Sequence, residues 1–116
     1  MEKDKKLLLA IVDKTRKLLL LVRSNLSLGE LEQNPSECRK IASLTEEIYV
    51  MINDQIFEQQ KKVSVLVSAR DKMHKYMTFF DGFEQRKDEA YENTLLALFP
   101  AVLTGVELKI ENLLSR

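Results

Sequence analysis

Apolar residues between Asp4 and about Ser24 recur with a helical rhythm: Leu7, Leu8, Ile11, Val12, Leu18, Leu19 and Val22 share one broad stripe of a helical wheel. That is the pattern of a helix with one face on a core. Leu9 and Leu20 stand apart, about 200–220° round the wheel from Leu7, among Lys5, Asp13, Arg16 and Lys17. The first helix, 4–24, is therefore expected to touch something on two sides. Asn25 to Gln33, with Gly29, reads as a connection holding at most one short turn.

Asn34-Pro35-Ser36-Glu37 then predicts a helix start, with Asn as N-cap, Pro in the first helical position and Glu in the third. No Gly or Pro follows until Asp81-Gly82. Across that span Cys38, Ile41, Thr45, Ile48, Ile52, Gln55, Gln59, Val63, Leu66, Arg70, Met73, Met77 and Phe80 recur at alternating three- and four-residue steps, a heptad-like seam. One helix over 35–80 would be about 70 Å long at 1.5 Å per residue. Polar Gln55 and Gln59 mark where it could break, yet no turn residue stands there, so the pattern favours one long helix. Asp81-Gly82 is the predicted stop. The third helix runs over 83–114, with Leu95, Leu98, Phe99, Val102, Leu103, Val106, Ile110 and Leu113 in one phase across Pro100. A proline there kinks a continuous helix and supplies a hinge.

The expected fold is therefore all-α: one domain over 1–116, an antiparallel helical bundle or coiled coil of three long helices, four if the central one breaks near residue 59. Composition agrees, since 45% of the 116 residues are apolar, 31% are charged, and only three Gly and two Pro occur.

Eighteen basic and eighteen acidic residues cancel, which removes the long-range field that draws a protein to nucleic acid or an anionic membrane. The charge is segmented: residues 1–26 are net +4, 27–58 net −5, 61–75 net +4 and 76–93 net −3. Antiparallel neighbours would place opposite signs side by side, selecting a register at only ~0.2–1 kcal/mol per exposed pair. Lys61-Lys62 with Arg70, Lys72 and Lys75 reads as a solvated surface. Asp13, Lys14, Arg16 and Lys17 interrupt the N-terminal apolar run, against a signal peptide. The longest uncharged stretch, Asn93–Val106, contains Pro100 and falls short of the ~20 apolar residues that span a bilayer. A lone Cys38 fits a reducing compartment. The expectation is a soluble cytoplasmic protein without membrane insertion or nucleic-acid binding.

Catalysis is not expected. The chain has one His, one Cys, no Trp and no Gly-rich phosphate loop. His74 has no second His for a metal site and reads as a seam-edge residue; Cys38 reads as a small core residue. Glu46-Glu47 and Asp88-Glu89 point about 100° apart on a helix and cannot readily share a metal or proton. No metal, cofactor or catalytic residue is predicted.

The informative feature is surplus apolar surface. Tyr76, Phe79, Phe80 and Phe83 cluster about the Asp81-Gly82 stop, and Leu96 and Leu108 lie off the main stripe of the third helix, as Leu9 and Leu20 do on the first. With Leu98 and Leu103, these residues are the predicted partner-binding set. They would hold a helical segment of another protein, or a second copy of the chain as a homodimer.

The stretch Val12 to Leu20, the connection Leu26-Ser27-Leu28-Gly29-Glu30-Leu31 and the heptad helix from Cys38 together resemble the flagellar type III export chaperones over residues 8–60. The second helix opens with Glu37-Cys38-Arg39-Lys40 where that family usually has a run of Glu and Arg, and the polar C-terminal tail of some members is absent. The resemblance implies a cytoplasmic chaperone or adaptor with a groove for an amphipathic segment. Other readings are a structural coiled-coil subunit of an obligate assembly, or a regulator that binds an enzyme or transcription factor.

Overall fold

The computed structural model describes residues 2–25, 27–59, 64–81 and 89–115, with the side chains of 2–4 and 57–59 left aside. Among them there are five helices and no strand: α1 Glu2–Arg23, α2 Leu28–Gln33, α3 Pro35–Gln59, α4 Ser64–Asp81 and α5 Glu89–Leu114. The all-α expectation holds.

One continuous helix over 35–80 does not form. α3 ends at Gln59, α4 begins at Ser64, and the two pack along each other. A rod of about 70 Å would outrun the other helices of a 116-residue chain and leave much of its apolar seam in water, whereas the folded-back molecule measures 44 × 22 × 20 Å. Folding back keeps most of the described seam inward: Ile41, Ile48 and Ile52 of α3 and Leu66, Met73 and Phe80 of α4 are all buried in one core. A heptad pattern cannot tell a long helix from a hairpin of two helices that present the same stripe inward.

Cross-helix contacts give the topology. On α1 and α3, Asn25 meets Glu37, Lys14 meets Glu47, and Leu7 and Ile11 flank a cavity with Met51 and Gln55; the rising and falling numbers make the pair antiparallel. On α1 and α5, Arg16 meets Glu107 and Glu111 while Leu28, just beyond α1, meets Asn93, again antiparallel. Tyr76 of α4 meets Leu95 and Phe99 of α5, and Tyr49 of α3 meets His74 of α4. The helices thus close a ring in the order α1, α3, α4, α5. The α4–α5 seam is the most sparsely packed of the four.

Local chemistry sets the corners. Ser27 is the N-cap of α2, in extended conformation, its Oγ accepting from the Glu30 N–H at 3.2 Å. Asn34 closes α2 and opens α3: its N–H donates to the Glu30 and Leu31 carbonyls, and its carbonyl accepts from Cys38 N–H at 2.9 Å. Buried Asn25 ties the corner together, donating from Nδ2 to Leu21 O at 3.0 Å and Glu37 Oε2 at 2.6 Å and accepting from Asn34 Nδ2 at 3.3 Å. Inside the core the hydroxyls of Thr15 and Thr45 donate to the Ile11 and Ile41 carbonyls, each at 2.7 Å, which satisfies two polar groups where no water reaches.

Candidate partner-binding surface

α5 positions the surface. It runs unbroken through Pro100, although that residue cannot supply the N–H that the Leu96 carbonyl would receive. Its inner face is Leu95, Leu96, Phe99, Leu103, Val106 and Ile110, all buried. The core stripe is therefore turned relative to the sequence expectation. Leu96 and Leu103 belong to the core and are not available to a partner, whereas Leu98, placed by its spacing on the main stripe, is 53% exposed. The turn follows from the neighbours: α5 packs against α1 more extensively than against α4, so its buried face swings toward α1.

The aromatic cluster behaves likewise. Tyr76 and Phe80 are buried. The Tyr76 ring stacks on Phe99 with centroids 3.9 Å apart and planes 8° from parallel, and its hydroxyl donates to Leu95 O at 2.7 Å. These two residues hold α4 to α5 and belong to the core, contrary to the expectation that they meet a partner. Burial, with a further push from Tyr91, raises the Tyr76 hydroxyl pKa to about 12. Phe79 is half-buried, edge-on to Phe80 at 5.0 Å. Phe83 and Gly82 lie outside the described residues.

What remains exposed is Leu9 and Leu20 on α1 and Leu98 and Leu108 on α5. The α1–α5 register brings them to one side of the molecule. Arg16, which reaches Glu107 and Glu111 at 2.6 and 2.5 Å, lies within 40° of Leu9 and Leu20 on the α1 wheel, so all three belong to the flank turned to α5. The hydrogen bond that Arg16 donates to Glu107 is the main reason its guanidinium pKa is raised, against a smaller opposing effect of desolvation. Beside and between Leu98 and Leu108, α5 shows solvent Ala97, Ala101 and half-exposed Gly105, without a charge from Asn93 to Val106. The surface is apolar, shallow and long.

Tyr91, 53% exposed, and Val50, 45% exposed, were missed by sequence reasoning. The signal for Tyr91 was its place two helical turns before Leu98, on the same flank of α5. Tyr91 and Phe79 line an open groove of about 520 Å³ between α4 and α5, with His74, Lys75, Thr78, Glu92 and Leu95 also in its walls. Just along that seam Lys72 adjoins Lys109, whose ammonium, together with desolvation, lowers the Lys72 pKa.

For other chemistry the geometry offers little. Among the described residues no group of three or more His, Cys, Asp and Glu is placed to hold a metal. The exposed His74 ring lies 5.5 Å from Tyr49, and Cys38 is half-buried and not in a disulfide. Contrary to the expectation from its uncharged stretch alone, α5 is long and apolar enough, by length and composition, to cross a bilayer, and 33% of the apolar window is buried in the bundle.

No family model, curated protein or solved structure matches the chain.

Proposed function

We propose that the protein is a non-catalytic binding module, a small cytoplasmic chaperone or adaptor that holds an amphipathic helical segment of another protein on the outer face of α1 and α5. The observation that carries this reading is the position of Leu9, Leu20, Leu98 and Leu108: four large apolar side chains, each more than half exposed, on two adjacent helices. An exposed apolar surface of this kind marks an interaction site more often than an ornament of a soluble fold, and a helix laid in a furrow is the recognition mode its length suits. Pro100, in the middle of the face, lets the two halves of α5 adjust to the bound segment. The export-chaperone resemblance is one specific form of the same reading.

The test is titration of a dye-labelled amphipathic helical peptide with a leucine stripe against the wild-type chain and against Leu98→Asp with Leu108→Asp. Both positions are exposed, so the double variant keeps its fold. Loss of peptide binding by a variant with wild-type circular dichroism is expected; undiminished binding would sink the assignment.

A further inference from the structure

We infer that the helix held by this face is acidic along both flanks, an amphipathic segment whose apolar stripe lies over Ala97, Ala101 and Gly105 and whose Asp or Glu rows meet lysines on either side. The inference rests on the reading of the α1–α5 face as a partner surface and adds the partner's chemistry.

The middle of the face suits a helix. Ala97 and Ala101 are exposed and a Cβ added at Gly105 would meet nothing within 4 Å, so another backbone can approach closely there. Leu20, Leu98 and Leu108 stand around this low strip.

Both rims are basic. The α1 rim carries exposed Lys6 and Lys17 against Asp13. Arg16 is engaged by Glu107 and Glu111, the acidic groups of the α5 flank nearest α1. The other rim carries Lys72 and Lys75 of α4 and Lys109 of α5; Asp71 there is paired with Arg70 at 3.4 Å. Glu89 lies at the N-terminal end of α5, beyond the strip, and Glu92 shares the α4–α5 groove with Lys75, so Lys72 and Lys109 carry the basic character of this rim. The crowding of Lys72 by Lys109 would be relieved by a carboxylate from outside.

Charge also decides against the other occupants. A second copy on this face, related by a two-fold axis, sets α1 against α1 or α1 against α4, and either arrangement brings lysine rim to lysine rim. A lipid surface would be held by the exposed leucines alone, since the centre of this face is Ala and Gly and the chain has no Trp to anchor it in an interface.

The experiment uses the full chain and two synthetic peptides of one leucine–alanine stripe, flanked by Glu in one and Lys in the other, read by fluorescence anisotropy. The Glu peptide is expected to bind about tenfold more tightly, the effect of a few exposed ion pairs, and the difference should shrink as salt rises. Lys17→Glu with Lys72→Glu should reverse the preference. Gly105→Phe, folded by circular dichroism, should weaken the Glu peptide. Equal affinity for the two peptides overturns the inference and leaves the partner-surface reading standing; failure of both to bind overturns both. Pelleting with phosphatidylserine vesicles in preference to the Glu peptide, or a doubled mass abolished by Gly105→Phe, would also overturn it, in favour of a membrane or a second copy.

Discussion

The Tyr76 ring lies flat on Phe99, with centroids 3.9 Å apart, while its hydroxyl donates to the Leu95 carbonyl one turn earlier on the same helix. One side chain thus makes both the apolar and the polar link across α4 and α5, the most thinly packed seam of the bundle.

Two substitutions separate those links. Tyr76→Phe keeps the stack and removes one buried hydrogen bond, for an expected loss of about 1 kcal/mol. Tyr76→Ala removes the ring as well and should lose about 3–5 kcal/mol. Urea denaturation monitored by circular dichroism gives both values.

The same residue makes stability depend on pH. The folded pKa of Tyr76, about 12, is above the roughly 10 of an unfolded tyrosine, so folding favours the protonated form. That contribution is complete below pH ~10 and is lost as pH rises toward 12, amounting to about 2–3 kcal/mol. Alkaline denaturation of the wild type should be steeper than that of Tyr76→Phe across this window, the difference cancelling the lysines that titrate in both.

At the opposite corner, Asn25 serves α1, Asn34 and α3 at once. Asn25→Ala should cost about 1–3 kcal/mol by stranding its partners. Asn25→Asp should cost more, since it sets a carboxylate against Glu37 where a donor stood at 2.6 Å. Thermal melts of the two variants at neutral pH order them.

The bridge from Arg16 to Glu107 and Glu111 is solvent-exposed, and a double-mutant cycle of Arg16→Ala and Glu107→Ala should return only ~0.2–1 kcal/mol of coupling, diminishing with added salt. A larger, salt-insensitive coupling would mean that Arg16 positions α1 on α5 rather than selecting the register.

Much of this fold is legible in the spacing of apolar residues. The stripe on α1 reads correctly because Ile11, Val12, Leu18, Leu19 and Val22 are unbroken by ambiguity and all are buried. Pro35 after Asn34 marks the start of α3 for the stereochemical reason that proline suits the first helical position. The break between α3 and α4 is only partly legible: polar Gln55 and Gln59 mark where it could fall, but no Gly or Pro announces a turn. The site is half legible. Leu9 and Leu20 are separated from their stripe by a wide angle, and they stay exposed. Tyr76, Phe80 and Leu96 are instead taken by the core, as is Leu103, which lay on the expected stripe as well as in the partner set; which edge of that stripe turns inward depends on where α1 and α4 sit, and that information lies outside any one helix.

The central claim is that the chain closes its own bundle and leaves the α1–α5 face for a foreign helix. Molar mass by light scattering across a hundredfold concentration range tests it most directly. The account predicts the monomer mass of 13.5 kDa throughout; a constant mass of twice that value or more, which falls to the monomer value in Leu98→Asp with Leu108→Asp, would contradict it.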